Sequence, residues 1–124
     1  MRKGMVDKVI TGADRVTKDG YVFNKIGTYQ LSILAKRHEI PFFCAAPTSS
    51  FDLERTWDQV TIEERNPREI THVGRKRIAP KGVTIFNPAF DATPPDLISS
   101  IVCNLGIIKP PLEENLAKKV RPYI

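Results

Sequence analysis

Cysteine, tryptophan and long apolar runs are scarce in this chain of 124 residues. Its two cysteines, Cys44 and Cys103, are too few for a disulfide-stapled fold, and no Cys-x-x-Cys pair or cysteine–histidine cluster suggests a zinc site. No apolar run approaches the roughly 20 residues of a membrane-spanning helix, or suffices for the core of a signal peptide. We therefore expect neither a disulfide-rich secreted domain nor a membrane protein, and the cytoplasm is the simplest location.

The residues that are present have the composition of a globular domain. About 41% are apolar, 27% are charged, and the net charge is +5. The positive residues are spread along the chain, apart from a cluster at residues 75–77 with Lys81 nearby. Because this cluster has no aromatic neighbour, it predicts a solvated loop and not a nucleic-acid interface. The length predicts one α/β domain over residues 1–124.

Short apolar or β-branched runs alternate with helical patterns, as is typical of a parallel α/β sheet. Strands are predicted at residues 6–11, 42–46 and 83–86, and a short exposed strand at 60–65. The run at 42–46 is apolar throughout, which indicates a strand covered on both faces. Pro67 predicts a single helical turn after it. Because these few strands would make only a small sheet, we expect the chain to form part of a larger sheet.

Three longer helices are predicted, at residues 25–38, 93–106 and 112–121. The first has apolar residues at helical spacing, which predicts a buried stripe of Ile26, Tyr29, Ile33 and Leu34. In the second, Thr93 is a suitable N-cap and Gly106 a suitable stop. Its predicted buried stripe consists of Leu97, Ile98, Ile101, Val102 and Leu105.

Two polar segments are candidate sites for chemistry. Asp14 follows the first predicted strand, at the edge where open sheets bind ligands, so its carboxyl group is a candidate general acid or base. A turn-forming role is the common alternative for an Asp there. Lys25 stands at the start of the first predicted helix, where free amides and a positive dipole end attract a phosphate. An ordinary helix start explains the same residues.

Two further polar segments favour structural roles. The hydroxyl groups of residues 47–50 follow a predicted strand, where loops are commonly solvated. The Pro-rich run 87–95 fixes the backbone, and its Asp91 is placed to accept hydrogen bonds at a helix N-terminus. The two cysteines lie in apolar segments, which indicates core positions and not nucleophiles.

Several ordered motifs together resemble the methylthioribose-1-phosphate isomerases, over nearly the whole chain up to about Ile108. The same superfamily contains ribose-1,5-bisphosphate isomerases and the regulatory subunits (alpha, beta and delta) of translation initiation factor 2B. The motifs are Gly-Ala-Asp-Arg at 12–15, Asn-Lys-Ile-Gly-Thr-Tyr at 24–29, Ala-Pro-Thr-Ser at 46–49, Ile-Glu-Glu-Arg at 62–65 and Asn-Pro-Ala-Phe-Asp-Ala-Thr-Pro at 87–94.

The resemblance implies a Rossmann-like, three-layer α/β fold with a mostly parallel sheet. It also implies an aldose–ketose isomerisation in methionine salvage, from 5-methylthioribose 1-phosphate to 5-methylthioribulose 1-phosphate. Asp14 would be the catalytic acid/base, and Asn24 and Lys25 would bind the phosphorylated pentose. No metal or organic cofactor is implied, and a homodimer is expected. The alternative is a regulatory subunit that binds a sugar phosphate or nucleotide and a translation factor.

The chain also departs from the family pattern. The active-site cysteine, the arginine–glycine substrate motif and the substrate-contacting glutamine of the family lie N-terminal to the region that matches, and Cys44 and Cys103 do not replace that cysteine. We therefore expect the C-terminal portion of a longer protein, with little or no isomerase activity of its own. Cys103-Asn104 stands where relatives usually carry Thr-Glu, near the expected subunit contact.

Overall fold

The computed structural model describes all residues from Met1 to Ile124 and contains ten short strands and three α-helices. Four single 3-10 turns lie at Thr48–Ser50, Trp57–Gln59, Pro95–Leu97 and Arg121–Tyr123. The helices are α1 (Thr28–Arg37), α2 (Arg68–Thr71) and α3 (Leu112–Lys119). The strands are β1 (Val9–Thr11), β2 (Arg15–Thr17), β3 (Val22–Lys25), β4 (Phe42–Ala45), β5 (Phe51–Asp52), β6 (His72–Val73), β7 (Lys76–Arg77), β8 (Phe90–Thr93), β9 (Ser100–Cys103) and β10 (Gly106–Ile108).

Two four-stranded sheets form the body of the molecule. The first sheet has the order β1-β4-β9-β10, in which β1, β4 and β9 are parallel and only β10 is antiparallel. This confirms the α/β class with a mostly parallel sheet. The second sheet has the order β5-β2-β3-β8, with β2, β3 and β8 antiparallel and β5 parallel to β2. The second sheet was not predicted from the sequence.

One face of the first sheet packs into the core together with α1 and α3. Phe42, Cys44 and Ile101 on this face are buried in one cluster with Ala35 of α1 and Leu116 of α3. The other face of the same sheet is open. The prediction that residues 42–46 are covered on both faces is therefore wrong for this chain, because burial alternates along β4 and Ala45 is exposed.

Helix α1 confirms the first predicted helix but packs through the opposite face from the one expected. Its buried residues are the small Thr28, Ser32 and Ala35. Small side chains allow the helix to approach the sheet closely; of its bulky apolar residues, Leu31 packs partly against the core and the others are exposed. The predicted stripe is between 42% and 50% exposed at all four of its members, Ile26, Tyr29, Ile33 and Leu34.

The predicted helix over residues 93–106 is wrong. The segment instead contains one 3-10 turn, then β9, a turn and β10. The β-branched residues after Leu97 favour a strand, and Ile101 is buried between β4 and β10, where a strand completes the sheet. Thr93 is the buried end of β8 and not an N-cap, and Gly106 with φ +106° opens β10 instead of ending a helix.

Residues 61–86 form an arm that packs little against the core. The predicted single helical turn is confirmed as α2, and the basic cluster lies on the exposed hairpin of β6 and β7. The predicted strand at 83–86 is wrong, because no neighbouring strand pairs with it and Phe86 is 75% exposed. The predicted strand at 60–65 is reduced to one bridge between Glu64 and Pro88. The helix α3 is confirmed, and no helix of the chain has the length and apolar character needed to span a membrane.

Candidate functional site

Asp14 lies between β1 and β2, where the chain passes from the first sheet to the second. Its backbone N–H donates a 2.8 Å hydrogen bond to the carbonyl oxygen of Phe23, which extends the β2–β3 ladder by one residue. Asp14 therefore lies beside Phe23, the residue before Asn24 on β3. The Asp14 side chain is exposed and forms no salt bridge or side-chain hydrogen bond, so its carboxylate is free to meet a ligand.

Asn24 and Lys25 lie at the end of β3. The sequence had predicted that they open the first helix. Successive strand residues point to opposite faces, so the two side chains diverge. The Asn24 side-chain amide donates a 3.1 Å hydrogen bond to the hydroxyl oxygen of Thr28 at the start of α1. Lys25 pairs with Phe90 of β8 and shares the face of Phe23. Asn24 therefore serves the helix start, while Lys25 projects on the other side of the sheet.

Lys25 carries an exposed positive charge that no carboxylate neutralises by direct contact. It takes part in none of the salt bridges of the chain. Lys25 acts on the charge pair of Arg65 with Glu69, in which Arg65 Nη2 lies 2.8 Å from Glu69 Oε1. The hydrogen bond from Arg65 holds the pKa of Glu69 below its ordinary value, and the charge of Lys25 acts in the same direction. The Lys25 ammonium group therefore remains available to form a salt bridge with a bound anion.

The amide groups at the start of α1 are partly occupied by a carboxylate of the chain itself. Asp91 accepts hydrogen bonds from the N–H of Gly27 at 2.7 Å and from the N–H of Tyr29 at 3.1 Å. The prediction that Asp91 reaches a helix N-terminus is confirmed, although the helix is α1 and not the one expected after Thr93. Because these two amides are taken, they do not bind the phosphate that the sequence suggested there.

Asp14 lines a cavity of about 300 Å³ between β3, β8 and the segment of residues 60–63. Phe23 and Phe90 contribute two aromatic rings to its lining, and Glu63 contributes a second carboxyl group. The segment is held by the hydrogen bond from the N–H of Ala89 to the carbonyl oxygen of Glu63, at 2.8 Å. The cavity is lined by Asp14, Arg15, Phe23, Val60, Thr61, Ile62, Glu63 and Phe90.

The arrangement suits proton transfer to a polar ligand. The structure brings Asp14, Asn24 and Lys25 to one end of the second sheet, but only Asp14 lines the cavity. Arg15 also lines the cavity, where its guanidinium lies 2.5 Å from the Asp52 carboxylate and is held in place by it. No group of three or more His, Cys, Asp or Glu side chains is arranged to hold a metal ion.

The family model described as the initiation factor 2 subunit family matches residues 1–110 of this chain. The chain belongs to that family. Among its relatives is the methylthioribose-1-phosphate isomerase of Thermosipho africanus, to which it is 54% identical over 119 residues. Those residues are 95% of this chain but only 34% of the relative. The chain therefore spans about a third of the length of the relatives it matches.

Solved structures of this family have the same fold over the matched region. The crystal structure of the translation initiation factor eIF-2B, subunit delta, from A. fulgidus is 51% identical, with a TM-score of 0.90 over 97% of this chain and 35% of that one. The crystal structure of 5-methylthioribose 1-phosphate isomerase from Pyrococcus horikoshii OT3 is 45% identical, again with a TM-score of 0.90, over 98% of this chain and 34% of that one. Both names that the motifs implied thus occur among its relatives.

Sequence reasoning missed two features of this site. The contribution of Glu63 to the cavity depends on the bridge between Glu64 and Pro88, which joins segments more than twenty residues apart. The position of Glu69 near Lys25 depends on the same folding back of the arm. The motif of residues 62–65 was a usable signal for both, since a patterned polar segment without a strand or helix of its own often belongs to a site.

Proposed function

We propose that this chain provides the proton-transferring part of a methylthioribose-1-phosphate isomerase. The observation that carries the proposal is the unpaired Asp14 carboxylate on a cavity wall, one strand from the unpaired charge of Lys25. Relatives that are about half identical over this region bear the isomerase name. The names of those relatives indicate a phosphorylated ligand, and the proposed substrate is 5-methylthioribose 1-phosphate.

The proposed reaction moves hydrogen within one molecule and needs no outside oxidant. The bond between the anomeric carbon and the ring oxygen breaks, and that oxygen gains a proton. The hydroxyl group on the carbon next to the anomeric carbon loses its proton and becomes the ketone. The hydrogen bound to that same carbon moves to the anomeric carbon. Asp14 transfers the proton between the two oxygens, a task that requires a carboxyl group within hydrogen-bond reach. Lys25 holds the phosphate, and Asn24 supports the strand end that carries it.

Activity is tested in a chimera, in which this chain replaces the matching third of the Thermosipho africanus relative. We expect the chimera to convert the substrate, and Asp14→Asn to lower kcat at least a hundredfold, because general acid–base catalysis contributes about 10²–10⁴-fold. Asp58→Asn, at an exposed carboxyl group outside the cavity, is the matched control. A folded, active chimera whose kcat is unchanged by Asp14→Asn would contradict the role of Asp14.

Binding is tested on this chain by thermal unfolding with and without methylthioribose 1-phosphate. A ligand at a hundredfold excess over its Kd stabilises a folded chain by about 2.7 kcal/mol. We expect Lys25→Met to reduce this effect, and Lys119→Met, at an exposed lysine of α3, to preserve it. Equal stabilisation of both variants would argue against phosphate binding by Lys25. The chain alone is expected to show little or no turnover, so full turnover would contradict our expectation that it is the C-terminal portion of a larger enzyme.

A regulatory subunit like that of translation initiation factor 2B is the second candidate. It is favoured by the A. fulgidus structure of that name, which matches this chain with a TM-score of 0.90. An inactive but folded chimera that binds a sugar phosphate or nucleotide would support it. A homodimer and a cytoplasmic location are part of the main proposal, and both are measurable, by sedimentation of the chimera and by fractionation of cells that express it.

A further inference from the structure

The segment of residues 24–29, which joins β3 to α1, has no side-chain cap of its own. The N-cap position of α1 is Gly27, which has no side chain and adopts a φ of +105°. Helices commonly begin at Ser, Thr, Asp or Asn, whose side-chain oxygen accepts a hydrogen bond from an N–H of the first turn. Here the acceptor is the Asp91 carboxylate of β8, 64 positions after Gly27 in the chain. Its Oδ2 accepts the N–H of Gly27 at 2.7 Å, and its Oδ1 accepts the N–H of Tyr29 at 3.1 Å.

The same segment holds two of the proposed site residues, Asn24 and Lys25. The Asn24 side-chain amide donates to the hydroxyl oxygen of Thr28 at 3.1 Å, and that hydroxyl donates to the carbonyl oxygen of Lys25 at 2.8 Å. Asp91 accepts from the residues on either side of Thr28 and pairs with Asn24 in the β3–β8 ladder. One hydrogen-bonded network therefore links the Asp91 carboxylate to the backbone that carries both site residues.

Strand β8 fixes the backbone on both sides of Lys25. Lys25 pairs with Phe90, and the N–H of Ile26 donates a 3.3 Å hydrogen bond to the carbonyl oxygen of Ala89. Asp91, the next residue of β8, then holds the glycine at the N-cap. Because glycine adopts positive and negative φ about equally readily, the segment has no local preference for the observed turn, and Asp91 supplies it. A lysine ammonium stands on a flexible four-carbon stem, so its position depends on how firmly its backbone is held.

We propose that Asp91 is a positioning residue for substrate binding, which holds Asn24 and Lys25 where they meet the phosphorylated pentose. This inference rests on the proposed function, in which Lys25 holds the phosphate. Asp14 is held by a separate contact, the 2.8 Å hydrogen bond from its N–H to the carbonyl oxygen of Phe23. Loss of Asp91 should therefore weaken substrate binding and leave proton transfer in the saturated enzyme nearly unchanged. A residue that only stabilises the fold would not produce this split between KM and kcat.

The test uses the chimera with the Thermosipho africanus relative described above. Asp91→Ala removes both acceptor oxygens, and we expect it to raise KM for methylthioribose 1-phosphate at least tenfold and to change kcat less than threefold. Asp91→Asn keeps one acceptor oxygen, so its KM should lie between those of Asp91→Ala and the unchanged chimera. Asn66→Ala is the matched control, because it removes an exposed side-chain oxygen that accepts a 2.8 Å hydrogen bond from the N–H of Arg68 at the start of α2. Both constants should stay unchanged in this control, and circular dichroism checks that each variant is folded.

A second measurement uses this chain alone and needs no turnover. We expect Asp91→Ala to speed hydrogen exchange of the Gly27 and Tyr29 amides at least tenfold by nuclear magnetic resonance, and to leave the Asp14 amide unchanged. The Kd of the chain for methylthioribose 1-phosphate, measured by titration calorimetry, should rise in this variant at least tenfold. Unchanged exchange at the two amides would overturn the proposal.

The Lys25→Met variant separates failure of this inference from failure of the proposed function. If Lys25→Met raises KM or Kd and Asp91→Ala does not, the positioning role of Asp91 is wrong and phosphate binding by Lys25 stands. If neither variant changes KM or Kd, phosphate binding by Lys25 is contradicted, and the positioning role with it. Tighter binding by Asp91→Ala would mean that the freed amides bind the phosphate directly, which would also overturn the proposal.

Discussion

Asp52 is the clearest case of a single residue whose surroundings set its ionisation. Burial raises the pKa of Asp52. Hydrogen bonds from the Arg15 side chain and from the N–H groups of Arg55 and Glu54 lower it by more, so the pKa lies below its ordinary value. The carboxylate is therefore more stable in the folded chain than in the unfolded chain. Because Arg15 lines the Asp14 cavity, Asp52 also positions a cationic side chain there.

We predict that Asp52→Asn destabilises the fold at neutral pH by about 1.5–3 kcal/mol, the usual range for hydrogen bonds to charged groups. A lowered folded pKa gives stability that is present above the ordinary value near 4 and is lost as pH falls through the folded value. The difference between the two proteins in urea unfolding should therefore shrink below about pH 4. A pH-independent difference would contradict this account. Asp58→Asn, at an exposed Asp, is the control.

The two cysteines differ in reactivity for a physical reason. Burial raises the pKa of the Cys44 thiol to about 12, whereas Cys103 is only half-buried. Since the thiolate is the reactive form, we predict that one thiol per chain reacts with iodoacetamide at pH 8 in the native state, and two in denaturant. Peptide mass spectrometry should place the native modification on Cys103. Rapid modification of Cys44 in the folded chain would contradict its burial.

Among the elements, α1 shows that an apolar pattern does not decide which side of a helix is buried. The helix contacts the sheets through Thr28, Ser32 and Ala35, and it is anchored at its start by Asp91 of β8. Close packing requires small residues at the contact, so the size of the side chains outweighs their hydrophobicity here.

We predict that Ala35→Leu destabilises the fold by about 1–3 kcal/mol, because extra methylene groups have no space in a packed contact. Ile33→Ala should change the free energy of unfolding by less than about 0.5 kcal/mol, as is usual for surface positions. Both are measured by denaturant unfolding. The opposite order of the two effects would show that the bulky side of α1 is the buried one.

At the level of the whole molecule, the tip of the β2–β3 hairpin joins the second sheet to α3. Gly20 has a φ of +83°, and a Cβ atom there would lie 2.8 Å from the Cβ of Leu112 and 3.3 Å from the Cβ of Pro95. The contact couples the sheet that carries the candidate site to the C-terminal helix.

We predict that Gly20→Ala lowers the free energy of unfolding by about 1–3 kcal/mol more than Gly74→Ala. Both positions have positive φ and share the cost of a left-handed alanine, about 1–2 kcal/mol, but a Cβ at Gly74 meets open space. Thermal unfolding of the two variants gives the difference directly. Equal destabilisation would mean that α3 moves away from the hairpin without cost.

The sequence by itself determined the fold class, the family and the elements with strong local signals: β1, α1, β4 and α3. It also identified Asp14, Asn24 and Lys25 as candidates, and these remain predictions for the experiments above. Local signals sufficed for the helical spacing of α1 and α3 and for the apolar run of β4, but a similar run at 83–86 forms no strand. They failed for residues 93–106, where β-branched residues at helical spacing form strands because β4 offers an edge to pair with.

Only the tertiary structure decided which surfaces meet. It showed that Asp91 accepts hydrogen bonds from two amides at the start of α1, that residues 60–63 line the Asp14 cavity, and that one face of the first sheet stays open. Each of these depends on residues far apart in the chain, such as Gly27 with Asp91 or Glu64 with Pro88. Periodicity reports that a side chain is apolar or charged. Which partner it meets is set by the packing of whole sheets and helices, which no short window of sequence contains.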